Sequence, residues 1–148
     1  MRVDKSLEWL IPYYESVKYM LPRHYLHEIK VIKPRKDRIA RIFGNITHDV
    51  YEYSKGKKVF QKTKGYGYYI NLYTHYYSTI RVGSVERKYK AYNKMDLVRV
   101  FAHELAHIKY YGDHTIDHAI LENRIHTEFL IQLEKNGYIS EEHELKSR

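Results

Sequence analysis

The sequence predicts an α+β fold: an N-terminal helix, a small and mainly antiparallel sheet, and then two helices in succession. Three observations carry this. Apolar residues recur at helical spacing near both ends of the chain, the intervening stretch is rich in β-branched residues and tyrosine, and glycine or proline punctuates the changes. With 148 residues, 43% of them apolar and 30% charged, the balance is that of one globular domain spanning 1–148. Its parts would be a helix and sheet (1–92), a helical hairpin (93–137) and a charged, frayed tail (138–148).

Taken in order, the first helix runs from about Leu7 to Leu21, restarts at Pro12 and stops at Pro22. Leu26 to Ile32 alternates as a strand does, and Pro34 opens a charged turn. Arg38 to Tyr53 reads as a strand bent at Gly44. The stretch from Ser54 to Gly67 reads as a hairpin loop, or as a second pairing strand around Val59 and Phe60. Tyr68 to Thr74 and Thr79 to Val82 give one long strand or two short ones, closed at Gly83. Beyond Gly83 the pattern turns helical. Asn93 caps a helix over Met95 to Tyr111, with Asp96 in its first turn and Gly112 as its stop. Thr115 caps a second helix, Ile116 to Asn136, ending at Gly137. Joined by Gly112, Asp113 and His114, the two helices form an antiparallel hairpin.

Composition narrows the chemistry. There is no cysteine, so disulfides, thiolate metal sites and a cysteine nucleophile are excluded. Any metal must be held by imidazole and carboxylate, and five of the ten histidines lie between 103 and 126. The net charge of +8 favours acidic partners, nucleic acid among them. Its main contributors (Lys30–Arg38, Lys55–Lys64 and Arg87–Lys94) read more simply as solvated loops and sheet edges. No apolar run approaches the roughly 20 residues of a membrane span. The N-terminus has acidic residues within its apolar stretch, so no secretory signal is expected and the cytoplasm is the expected location.

The chemistry concentrates in His103-Glu104-Leu105-Ala106-His107, an HExxH motif on the first of the two late helices. Residues four apart on a helix lie nearly above one another, so His103 and His107 can direct two imidazoles at one zinc ion. Glu104 sits slightly aside, where its carboxylate can take a proton from a water at the ion without binding the ion itself. Catalytic zinc commonly uses three protein ligands and leaves a fourth position open.

This stretch resembles the zincin metallopeptidases. The match is specific over His103 to His107, extends to about Phe129, and is architectural before Gly83. Lys109 departs from it, since the extended pattern prefers an apolar residue there. The resemblance implies a single zinc ion, hydrolysis of peptide bonds and a protein or peptide substrate.

Two zincin patterns compete for the third ligand. Tyr111-Gly112-Asp113-His114 is similar to the turn of SprT-like proteases, where a histidine past the helix returns to the zinc. The spacing here is one residue longer, which turns His114 by about 100° unless the loop absorbs it. Leu121 to Phe129 resembles instead the glutamate helix of ImmA/IrrE-type gluzincins. On that pattern Glu122 is the alternative third ligand and His126 steadies a neighbouring imidazole. His114 ranks first, Glu122 second and His118 third.

By the same resemblance, Tyr68–Thr74 or Thr79–Val82 would pair with extended substrate, and Tyr110, Tyr111, His75 and His126 are candidates for stabilising the oxyanion. SprT-like proteases act on proteins bound to DNA, which the basic charge would suit. The rival expectation is a basic nucleic-acid- or protein-binding module with a structural or vestigial metal site.

Overall fold

The computed structural model describes residues 1–34, 44–50, 52–54, 57–59, 66–82 and 84–138. Strand β1 (Arg2–Val3) leads into a 3-10 turn (Lys5–Leu10), helix α1 (Ile11–Val17) and a second 3-10 turn (Lys18–Met20). The strands that follow are β2 (Tyr25–Ile32), β3 (Gly44–Val50), β4 (Glu52–Ser54), β5 (Lys57–Val59), β6 (Tyr66–Tyr73), β7 (His75–Val82) and β8 (Ser84–Ala91). Helices α2 (Lys94–Ala106) and α3 (Ile116–Lys135) complete the described elements. The class is α+β, as the sequence predicts.

The principal sheet has the order β1-β2-β6-β3 and is mixed: β1 and β6 run parallel to β2, while β3 runs antiparallel to β6. This differs from the mainly antiparallel sheet expected. Helix α1 lies between β1 and β2 as a crossover, and such a crossover returns the chain in the same direction. Strand periodicity carries no information on direction, and a two-residue β1 leaves no pattern to read.

Alternation is plain in β6, where Tyr68, Ile70 and Leu72 are buried and Tyr69, Asn71 and Tyr73 are only partly covered. Leu26 and Ile29 of β2 share the buried face. The helices cover it with stripes at helical spacing: Tyr13, Tyr14 and Val17 from α1; Val98, Phe101 and Leu105 from α2; Leu121, Ile125, Phe129 and Leu133 from α3. The stacked rings of Phe101 and Phe129, 5.7 Å apart, join the last two helices.

Two further differences bear on the site. Ser84–Ala91, expected to lead into helix, is a strand paired with β7 from His75↔Ala91 to Val82↔Ser84. This ribbon is a separate sheet and exposes Lys88, Tyr89 and Lys90, so its charged end does not announce a strand. Helix α2 ends at Ala106 rather than Tyr111. The amides of His107, Ile108 and Lys109 bond three residues back, to Glu104, Leu105 and Ala106, so the last turn tightens. Lys109 is therefore exposed beyond the helix, where an apolar residue has no packing role. The caps fall where predicted, with Asn93 accepting from the Asp96 amide and Thr115 from the His118 amide. Residues 35–43, Phe60, Gly83 and the predicted tail from 139 onward lie outside the described residues.

Candidate metal centre

The C-terminal end of α2 and the N-terminal half of α3 bring four histidines together. The ring centroids of His103 lie 4.9 Å from His107, 4.9 Å from His114 and 4.7 Å from His118. Two overlapping groups have donor atoms within 4.8 Å of one another: His103, His107 and His114; and His103, His118 and Glu122. Either could hold a metal ion, and the hydrogen bonds distinguish them.

His107 donates through Nδ1 to the Tyr110 carbonyl, 2.9 Å away, which leaves a lone pair on Nε2. His103 bonds Glu122 through Nδ1, so its Nε2 also carries a lone pair. That Nε2 lies 3.1 Å from Nε2 of His114. Two nitrogens at about 2.0–2.1 Å from a tetrahedral ion are roughly 3.3 Å apart, so this spacing is that of two ligands to one metal. His103 and His107 thus direct Nε2 lone pairs to the side on which His114 Nε2 lies, which is the donor set a cation requires. The negative end of the α2 dipole points the same way.

His114 reaches this position because Gly112 adopts φ +98°. A side chain is strained in that conformation. The turn thereby absorbs the extra residue of spacing between His107 and His114.

Glu122 meets the Nδ1 side of His103, remote from the lone pairs. The arrangement is carboxylate–imidazole, which fixes ring orientation and tautomer. His118, only 2% exposed, donates through Nε2 to the His103 carbonyl at 3.1 Å. That carbonyl would accept from the His107 amide in a continued helix, but the amide bonds Glu104 instead. His118 thus satisfies a carbonyl left over at the helix end. The sequence holds a signal for this: 118 precedes Leu121 and Ile125 by three and seven positions, on the buried stripe. His126 belongs to neither donor group and is partly buried on α3.

Burial lowers the pKa of His103, His107 and His118 below the ordinary imidazole value, favouring the neutral form that binds metals. Glu104 is 6% exposed, and no described group donates a hydrogen bond to it. Burial, reinforced by the nearby Glu122 charge, pushes its pKa up to about 7. A buried carboxyl without a partner is costly to maintain and calls for a functional explanation.

A cleft of 530 Å³ opens onto this carboxyl and onto His103, His107 and His114. Its opposite wall is Gly44, Asn45 and Ile46 of β3, the edge strand. The strands expected to pair with substrate lie elsewhere in the fold. Tyr68–Thr74 falls in β6, whose two edges are taken by β2 and β3, and Thr79–Val82 lies in the separate β7–β8 ribbon. Of the four oxyanion candidates only Tyr111 lines the cleft. Tyr110 packs against the core and His75 stacks on Tyr89.

Among the described residues, no helix is long and apolar enough to cross a membrane. Comparison with family models, curated proteins and solved structures finds no match.

Proposed function

We propose that this chain is a zinc-dependent peptidase of the minimal zincin type, with His103, His107 and His114 holding the ion and Glu104 as general base. The observation that carries the reading is the unpartnered, buried carboxyl of Glu104 facing the same cleft as three convergent imidazoles. The ligand turn favours the SprT-like pattern over the glutamate-ligand pattern, because Glu122 bonds the far side of His103.

When bound, zinc supplies Lewis-acid polarisation of the scissile carbonyl and acidification of water. Glu104 takes the proton of the attacking water and returns it to the departing amine. The edge of β3 that pairs with no strand among the described residues holds an extended peptide as an added strand beside α2. Tyr111, at the rim, is placed to donate to the developing oxyanion.

The competing reading is a closed, structural metal site, and His118 and Glu122 beside His103 are the feature that favours it. Glu104→Gln decides between the two. The variant is expected to keep one zinc per chain by elemental analysis and to lose at least about a hundredfold in cleavage of an unfolded protein substrate. Equal cleavage by variant and wild type would remove the peptidase assignment. Retention of zinc after loss of both His103 and His107 would remove the metal assignment.

A further inference from the structure

Arg99 and Glu104 are the only lysine, arginine or acidic side chains among the described residues lining the cleft. Arg99 is thus the only lysine or arginine among the described residues of that lining, and it is exposed where Glu104 is buried. Arg99, His103 and His107 follow one another at four-residue spacing, so they form one stripe of α2 on the cleft side. Arg99 is exposed and lies one turn, about 6 Å of axial rise, before His103. Its guanidinium carries five N–H groups, so a neighbour in the protein does not exhaust its capacity. The planar fork matches a carboxylate in a way a lysine would not.

We propose that Arg99 forms a carboxylate-binding subsite, so that preferred peptides carry a carboxylate within a few residues of the bond attacked. An extended peptide advances about 3.3 Å per residue, so one helical turn corresponds to about two residues. The carboxylate is an aspartate or glutamate side chain or a free C-terminus. The inference rests on the peptidase reading for its substrate, and its test separates the two.

The zinc-loaded Glu104→Gln chain is titrated with fluorescent peptides of one scaffold. They are neutral and amidated, aspartate-bearing and amidated, neutral with a free C-terminus, or lysine-bearing and amidated. At least one carboxylate peptide is expected to bind about tenfold or more tightly than the neutral one, and whichever does identifies the source. Adding Arg99→Gln is expected to collapse that ratio, and Arg99→Glu to favour the lysine peptide. An unchanged ratio in Arg99→Gln, or no discrimination by the Glu104→Gln chain, overturns the subsite. Glu104-dependent cleavage without carboxylate discrimination leaves the peptidase reading standing and removes the subsite. Discrimination that depends on Arg99 without any Glu104-dependent cleavage does the reverse.

Discussion

At His103 both the imidazole and the main chain are fixed by α3, since Glu122 meets Nδ1 and His118 donates to the carbonyl. Glu122 therefore acts through the tautomer of His103. Glu122→Ala is expected to retain one zinc per chain but to bind it about ten- to a hundredfold more weakly in chelator competition, with Glu122→Gln recovering part of the loss. Loss of stoichiometry in Glu122→Ala would instead make Glu122 a ligand. His103, Glu104 and His107 were legible because helical spacing alone brings them to one side of α2. His114 was legible as a candidate but not as a position, since a single φ at Gly112 redirects it. His118 was legible only as a third candidate ligand, and Arg99 was not singled out. The first meets a carbonyl freed by a tightened helix end, and the second lines a cleft whose other side comes from β3.

Among the elements, β3 depends on close approach at Gly44. A Cβ there would lie 2.6 Å from the Asn71 carbonyl oxygen, 3.0 Å from Leu72 Cδ2 and 3.2 Å from Val100 Cγ1. The strand would have to leave both β6 and α2, widening the wall of the cleft. Gly44→Ala is expected to destabilise the chain by roughly 1–3 kcal/mol, read as a lower urea midpoint. The bend expected at Gly44 was a signal of this contact, although its partners could not be known before β6 and α2 were placed. The helical hairpin was legible because its caps and apolar stripes are local. Strand direction was not, because it depends on which segments cross over the sheet. The β8 strand was hidden by its charges.

For the whole molecule, the buried titratable groups set a pH dependence. In the metal-free chain, burial lowers the pKa values of His24, His103, His107, His118 and His126 below that of an unfolded imidazole, about 6.5. Below that pH the unfolded chain takes up more protons, so the stability these groups contribute above it is lost as pH falls through their folded values. Glu104 opposes them: its contribution is complete below about 4.5 and lost as pH rises through about 7. Five imidazoles act against one carboxyl, and the urea midpoint is expected to be higher at pH 7 than at pH 5. A midpoint that falls over that interval would mean that Glu104 outweighs the histidines.

All the donors of the candidate centre lie within residues 103–122, whereas β2 finds its partner β6 across a gap such as Tyr25↔Gly67, 42 positions apart (67 − 25). Closing the shorter segment costs less chain entropy, and its contacts are available sooner to a folding chain. An ion held by this segment would tie the two helices together before the long-range strand pairs close, and so would contribute to the assembly of the molecule.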